Sequence, residues 1–154
     1  MDLSDLVKPD AVVPSLKANS KKQAIQALAE KAAEITGLEE REVFEKLVQR
    51  EKLGSTGVGG GIAIPHGKLA GLETIFGLFA RLSKPIEFEA VDDQPVDLIF
   101  LLLAPEGAGA DHLKALARVA RLFREPGVAS KLRASTDKSA LYSVLTEGAT
   151  PDAA

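Results

Sequence analysis

The sequence predicts a single α/β domain in which a mixed β-sheet is sandwiched by α-helices. Two segments with apolar residues at helical spacing precede a cluster of short apolar segments, and further helical segments follow that cluster. Val96 to Leu103 is an almost unbroken apolar run, as expected of a central strand buried on both faces. The length of 154 residues suits one domain of this kind.

The composition excludes several classes of function. The chain has no cysteine, so it has no disulfide, cysteine-ligated zinc, iron–sulfur cluster or catalytic thiol. A net charge of −3 and an aromatic content of 5%, without tryptophan, argue against nucleic-acid binding. The longest apolar run extends only from Leu98 to Ala104, whereas a membrane span needs about 20 residues. Residues 1–6 do not have the pattern of a secretory signal, so we expect a cytoplasmic protein without membrane insertion.

The first elements are a short strand and a helix. Ala11 to Val13 is predicted as the strand, stopped by Pro14. Asn19 or Ser20 is expected to cap the helix, and Gly37 to end it. The buried face of this helix is predicted from apolar residues that recur at helical spacing: Ala24, Ile25, Leu28, Ala29, Ala32 and Ile35.

A second helix is predicted from Glu39 to Leu53, where Gly54 ends it. Five of the eight residues from 54 to 61 are glycine, which excludes a helix interior and predicts a loop. The apolar seam of this second helix consists of Val43, Phe44, Leu47 and Val48.

The centre of the chain is predicted to form the sheet. Ile62 to Ile64 is a short strand candidate, and Ile75 to Leu82 is a longer one. Residues 86–90 alternate apolar and acidic side chains, which is typical of a half-buried strand. A turn at residues 92–95 leads into the apolar strand that ends at Leu103.

Helices are predicted after the sheet, at about residues 111–125, 128–134 and 138–146. Asp137 is expected to cap the last helix, and residues 148–154 are expected to form a flexible tail. The apolar side of the first of these helices is predicted to consist of Leu113, Leu116, Ala117, Ala120 and Phe123.

The residues with the clearest chemical potential lie between positions 50 and 68. A glycine-rich loop lets backbone N–H groups approach an anion, while Ser55 and Thr56 add hydroxyl donors. Arg50 adds a planar cation. His66 is expected at the end of a strand, a usual place for a functional residue, and His112 at the first turn of a helix, where the dipole favours anions. Each of these residues also has a purely structural interpretation.

Several kinds of site are disfavoured by the spacing. A P-loop would require glycine and a hydroxyl where Ile62 and Leu69 stand, and the dinucleotide fingerprint also fails at Ile62. No nucleophile elbow is present. The chain has only two histidines, 46 positions apart and without a nearby carboxylate cluster, so no metal site is expected. What remains is a histidine nucleophile, since neutral imidazole is a good acceptor for a phosphoryl group.

The region around these residues resembles a known family. Residues 50–57 and 61–68 strongly resemble the phosphorylation-site region of enzyme IIA proteins in the fructose–mannitol family of the bacterial phosphoenolpyruvate-dependent phosphotransferase system. Gly60 is a small departure, since many members carry asparagine there. The resemblance covers residues 5–147 and implies one domain of the enzyme IIA fold. Within this family, the chain looks like the nitrogen-regulatory branch, and the resemblance to that branch is carried by residues 85–88, 93–100 and 112–113.

The resemblance implies a role for each candidate residue. His66 would accept a phosphoryl group from a phosphohistidine on a small carrier protein, and His112 would support that group without carrying it. Arg50 would contact the phosphoryl oxygens, while Ser55 and Thr56 would supply further donors. No cofactor is implied. Because the carrier must dock over His66, we expect an exposed apolar rim around the site.

Three functions remain open at this point. The first is a regulatory phosphocarrier whose phosphorylation state controls target proteins, such as potassium-handling or sensor proteins. The second is a sugar-specific IIA component that donates phosphate to a separate IIB domain. The third is a non-catalytic binding module in which the histidine site takes up no phosphate.

Overall fold

The computed structural model describes residues 3–147, so the tail expected at 148–154 lies outside the described residues. Six strands and five helices occur in this part of the chain. The strands are β1 Val7–Leu16, β2 Gly57–Gly59, β3 Ile62–Ala63, β4 His66–Leu69, β5 Phe76–Ile86 and β6 Val96–Pro105. The helices are α1 Lys21–Thr36, α2 Glu40–Lys52, α3 Ala110–Arg124, α4 Val128–Arg133 and α5 Lys138–Glu147.

The strands form one mixed sheet in the order β1-β5-β6-β3-β2, with β4 also paired to β6. β5 and β6 are antiparallel, whereas β1 runs parallel to β5, and β3 and β4 run parallel to β6. Leu98 to Ala104 of β6 are all buried. Because successive side chains point to opposite faces, both faces of the sheet are covered at β6. The predicted fold class and the predicted central strand are confirmed.

The helix signals in the sequence are confirmed at three positions. The Ser20 hydroxyl accepts a hydrogen bond from the Gln23 N–H at 3.2 Å, which caps α1. Gly37 ends α1 with φ at 79°, in the left-handed region that glycine adopts without strain. Asp137 accepts a hydrogen bond from the Ala140 N–H at 3.0 Å and thereby caps α5.

The first strand is longer than predicted, because Pro14 does not stop it. β1 extends through Pro14 to Leu16. β1 is an edge strand, since among the described residues it pairs with β5 alone. The backbone groups on its other side therefore have no neighbouring strand to pair with. A proline, which lacks the N–H donor, is tolerated there.

The strand predicted at residues 86–90 is not present. β5 continues through Pro85 and ends at Ile86, while residues 87–90 lie outside any strand. The predicted burial alternation nevertheless holds, since Phe88 is buried and Glu89 is exposed. Glu89 has φ at 56°, which interrupts extended backbone.

The glycine-rich segment and the residues after it also differ from the prediction. Gly57–Gly59 forms the short strand β2, which pairs with β3, rather than a loop throughout. His66 does not end a strand but begins β4. β3 and β4 keep the same register along β6, since Ile62 lies opposite Leu98 and His66 opposite Leu102. The two strands thus form one line of pairing along β6 that is interrupted near Pro65, which lacks an N–H for the ladder.

The buried face of α3 is displaced from the predicted one. Leu113 is 69% exposed and Ala117 is also exposed. The predicted apolar side of this helix did not include His112, because histidine is polar. In the structure His112 is the first of the buried residues of α3. The residues of α3 that are buried in the structure are His112, Ala115, Val119, Leu122 and Phe123.

Candidate active site

A cleft of about 620 Å³ lies between the second half of α2, strand β4 and the first turns of α3. Arg50, His66 and His112 all line this cleft, together with the lysines Lys46 and Lys68. Three of the five predicted site residues are therefore brought together by the fold, although they come from three different elements.

His66 is held through both ring nitrogens. Its Nδ1 lies 2.9 Å from the carbonyl oxygen of Ile64, and the Arg50 Nε donates to its Nε2 at 3.1 Å. Because a guanidinium N–H can only donate, Nε2 must be the acceptor and Nδ1 must carry the proton. The ring is thus neutral, and its free lone pair is on Nε2.

Arg50 is itself anchored at the end of α2. Its Nη1 donates to the carbonyl oxygen of Gly54 at 2.9 Å, just beyond the last turn of the helix. The same guanidinium therefore contacts both the helix end and the Nε2 atom of His66. A cation in the last turn is also favoured by the helix dipole.

The pKa of His66 lies below its ordinary value of 6.5. Burial is the main cause, because it disfavours the charged ring, and the nearby Arg50 cation lowers the pKa further. The hydrogen bond to the Ile64 carbonyl and the Glu51 carboxylate act in the opposite direction. The neutral form is therefore the dominant one at neutral pH.

We expect NMR titration to show that the His66 ring takes up a proton only below pH 6.5. In the unfolded chain the ring takes up this proton at the ordinary value, so between the two pKa values the unfolded state binds more protons. The contribution of His66 therefore makes the free energy of unfolding decrease as pH falls below 6.5. A His66 titration midpoint at or above 6.5 would contradict this expectation.

His112 faces His66 from the first turn of α3. The ring centroids are 5.5 Å apart and the ring planes meet at 78°. His112 is only 5% exposed, and its Nδ1 makes no hydrogen bond to the described part of the chain. Burial, and then the nearby His66 and Lys68, lower the pKa of His112 as well. The cleft thus contains a second neutral imidazole with an unsatisfied ring nitrogen.

Ser55 and Thr56 are not among the residues that line the cleft. The Ser55 hydroxyl donates to the Phe88 carbonyl at 2.7 Å, and the Thr56 hydroxyl donates to the Glu51 carboxylate. Their predicted contact with a phosphoryl group would require these hydrogen bonds to break. It stays a prediction.

The apolar rim expected around the site is present. Leu53 at the end of α2 is 85% exposed, and Leu113 in the first turn of α3 is 69% exposed. Both line the cleft that contains His66. Two exposed leucines beside a cleft with several cations suit transient docking of another protein.

Sequence reasoning missed two contributions to this site. Lys68 is not among the candidate residues predicted from the sequence, yet it lines the cleft and lowers the pKa of His112. A signal was available, because Lys68 follows His66 by two positions, the spacing that puts side chains on one face of a strand. Glu51 was not singled out at all, although it binds Thr56 beneath the glycine-rich loop.

Within residues 3–147, no three or more His, Asp or Glu side chains are grouped so that they could hold a metal ion. None of the helices in that part of the chain combines the length and hydrophobicity needed to cross a bilayer.

Known proteins share both the sequence and the fold. The family model described as "Phosphoenolpyruvate-dependent sugar phosphotransferase system, EIIA 2" matches residues 5–148. A nitrogen regulatory protein of Bradyrhizobium diazoefficiens is 70% identical over 145 residues, which cover 94% of this chain and 95% of that protein. The crystal structure of nitrogen regulatory protein IIA-Ntr from Neisseria meningitidis has a TM-score of 0.88 at 35% identity, covering 94% of this chain and 99% of that one.

The fold is shared more widely than the sequence. The crystal structure of IIA mannitol from Escherichia coli has a TM-score of 0.77 at 20% identity, and the match covers 90% of this chain and 98% of that one. The family model and the two nitrogen regulatory proteins confirm the resemblance to the enzyme IIA family. The chain belongs to the EIIA 2 family of the phosphoenolpyruvate-dependent sugar phosphotransferase system.

Proposed function

We propose that this chain is a regulatory phosphocarrier that accepts a phosphoryl group on the Nε2 atom of His66. The observation that carries the proposal is the pair of hydrogen bonds on the His66 ring. The Ile64 carbonyl holds the proton on Nδ1, and Arg50 marks Nε2 as the atom with the free lone pair. The donor is a phosphohistidine on a small carrier protein of the phosphotransferase system.

The transfer needs no other covalent partner. The Nε2 lone pair attacks phosphorus, the new N–P bond forms, and the N–P bond to the carrier histidine breaks with its electron pair returning to the carrier. The Nδ1 proton stays in place, so the phosphorylated ring carries a positive charge. The Ile64 carbonyl, at 2.9 Å from Nδ1, stabilises this charge.

The rest of the catalysis comes from positioning the reactants and from electrostatic stabilisation, as is usual for phosphoryl transfer. Arg50 must leave Nε2 when the phosphoryl group arrives, and its donors then turn to the phosphoryl oxygens. His112 lies across the cleft from His66, with the two ring centroids 5.5 Å apart, so its side chain is near the incoming group. The cations of Lys46 and Lys68 at the cleft add positive potential for the incoming group.

The regulatory role follows from the relatives rather than from the site. The Bradyrhizobium and Neisseria proteins are both named as nitrogen regulatory proteins, and the first shares 70% of its aligned residues with this chain. We therefore infer that the phosphorylation state of His66 controls binding to regulatory targets, of which potassium-handling and sensor proteins are the expected kinds. The chemistry at His66 would be the same in a sugar-specific component.

The test is intact-mass analysis after incubation with phosphoenolpyruvate, the first enzyme of the system and a phosphocarrier. Nitrogen-type and sugar-type carriers are run in parallel, with His66→Ala as the control. We expect one acid-labile phosphoryl group on the wild type and none on His66→Ala, with faster uptake from the nitrogen-type carrier. Preference for the sugar-type carrier would favour a sugar-specific component. No uptake from either carrier, when both phosphorylate a known acceptor, would favour a binding module.

His112→Ala is expected to fold normally but to slow phosphoryl uptake by about tenfold to a hundredfold, because one hydrogen bond to the charged phosphoryl oxygens is lost. The measurement is the initial rate of uptake at fixed carrier concentration, with circular dichroism as the check on folding. His112→Gln, which keeps a side-chain N–H, should lose less activity. Wild-type rates in both variants would show that His112 has no part in the transfer.

A further inference from the structure

We propose that Glu51 is a positioning residue, which acts through Thr56 and Ile64 to hold the His66 ring in the tautomer that leaves Nε2 unprotonated. This inference rests on the proposed function, because the ring it positions is the proposed phosphoryl acceptor. Glu51 does not line the cleft. Its charge raises the pKa of His66, and its effect on the tautomer is transmitted by a series of hydrogen bonds.

The Glu51 carboxylate is buried and fully engaged. Its side chain is only 7% exposed. It accepts a hydrogen bond from the Thr56 N–H at 3.0 Å, another from the Thr56 hydroxyl, and an ion pair from Lys21 at 3.0 Å. A buried carboxylate needs such partners, because its desolvation is costly. Both side-chain and backbone donors of Thr56 are thus committed to one residue.

Helix stability does not explain why an acid stands at this position. Glu51 is in the last turn of α2, where the helix dipole disfavours negative charge. The neighbouring Arg50 and Lys52 have the sign that this helix end favours. The carboxylate is therefore best explained by what it binds beyond the helix, which is Thr56.

Thr56 passes this constraint on to His66 through the backbone. The Ile64 N–H donates to the Thr56 carbonyl at 3.0 Å, and the Ile64 carbonyl accepts the proton of His66 Nδ1 at 2.9 Å. The peptide groups of Ile64 are thus bound on one side to Thr56 and on the other to the reactive ring. If Thr56 shifts, the carbonyl that selects the Nδ1–H tautomer shifts with it.

Two adjacent residues of α2 therefore reach both nitrogens of His66. Arg50 contacts Nε2 directly, and Glu51 acts on Nδ1 through Thr56 and Ile64. Arg50 also binds the Gly54 carbonyl, which lies inside the turn that the pairing of Glu51 with Thr56 closes. Loss of the Glu51 carboxylate would consequently loosen the anchoring of the ring on both sides.

The experiment compares wild type, Glu51→Ala, Thr56→Val and Thr56→Ser, with Glu45→Ala as the matched control. Glu45 is an exposed acid on the same helix, and its ion pair is with Arg41 on the surface. Two quantities are measured for each protein: the His66 tautomer, from long-range proton–nitrogen NMR spectra of the ring, and the initial rate of phosphoryl uptake. A residue that only supports stability would leave the tautomer unchanged in the folded protein.

We expect the wild type and Glu45→Ala to show the Nδ1–H tautomer and equal rates, and Thr56→Ser, which keeps the hydroxyl, to deviate less than Thr56→Val. Glu51→Ala should show a mixture of tautomers and a rate lower by about tenfold to a hundredfold, the range expected when a reacting group is misplaced by about 1 Å. Thr56→Val, which keeps the backbone N–H but loses the hydroxyl, should deviate in the same direction by a smaller factor.

A folded Glu51→Ala protein with the wild-type tautomer and rate would overturn the proposal. If Glu51→Ala does not fold, the threonine variants decide, since equal tautomers and rates in Thr56→Val and Thr56→Ser would overturn it in the same way. Failure of the proposed function is a separate result. It would appear as a wild type that takes up no phosphoryl group, whereas the tautomer spectra would still test whether Glu51 positions the ring.

Discussion

Arg50→Ala is expected to slow phosphoryl transfer to His66 by about a hundredfold to a thousandfold, the usual loss when a donor to a developing anion is removed. The guanidinium Nε lies 3.1 Å from Nε2, so its donors are already next to the atom to which phosphorus would bond in the proposed transfer. The same side chain binds the Gly54 carbonyl, which limits how far it can move. Alanine removes both the charge and this anchoring.

Arg50→Lys is the informative companion variant. Lysine keeps the positive charge, but it cannot bind the Gly54 carbonyl and the phosphoryl group with a single planar fork. We therefore expect a rate between those of Arg50→Ala and the wild type. The measurement is single-turnover uptake from a saturating phosphorylated carrier, with thermal unfolding as the check on folding. Equal rates in the two variants and the wild type would show that Arg50 is only a structural residue at the end of α2.

The two histidines illustrate what could be predicted about the site. The spacing showed only that His66 and His112 are far apart in sequence, and it was the resemblance to a family that paired them. The structure brings them together because β4 runs parallel to β6 and α3 begins just after β6 ends. That contact is a property of the sheet topology, which local sequence patterns do not contain. Helix ends such as Ser20 and Gly37 were predictable because their signals are local.

The prolines show why the strand boundaries were harder to predict. Pro14 was expected to stop the first strand, and a separate strand was expected to begin at residue 86, yet β1 runs through Pro14 and β5 runs through Pro85. A sequence shows that proline lacks an N–H, but not whether the sheet needs a donor at that position. Pro14 is in an edge strand, and Pro85 is in the irregular part of the pairing between β5 and β6. Whether a proline is tolerated at these two positions becomes evident only when the strand order is known.

The role of Thr56 as a donor to a phosphoryl group stays a prediction, because the structure shows its hydroxyl in another hydrogen bond. A hydroxyl beside a glycine-rich loop suggested a hydrogen-bond donor to a phosphoryl group, whereas in the structure that hydroxyl donates to the Glu51 carboxylate. Nothing in the local pattern distinguishes these two uses of a threonine, because the deciding partner is five residues earlier on a helix. The sequence pattern alone assigned the Thr56 hydroxyl to a phosphoryl ligand. The proposed role of Glu51 explains the hydrogen bond that this hydroxyl makes in the structure.

The glycine-rich segment contains a position where even a methyl group is expected to be harmful. Gly57 is buried, and a Cβ atom there would lie 2.8 Å from the Ala90 Cβ and 2.9 Å from the Ala90 Cα. The second of these atoms is backbone, so the clash cannot be relieved by a side-chain rotation. The N–H of Val91 also donates to the Gly57 carbonyl at 3.3 Å, which ties the two segments together.

Gly57→Ala is therefore expected to lower the free energy of unfolding by about 1–3 kcal/mol, as overpacking usually does. Gly107→Ala is the matched control, because a Cβ atom there has no neighbour within 4 Å and should change stability by less than about 0.5 kcal/mol. Urea unfolding followed by circular dichroism measures both. Because Gly57 follows Thr56 directly, the variant should also slow phosphoryl uptake in the folded protein. Equal unfolding midpoints for the two variants would mean that the segment around Ala90 moves aside without cost.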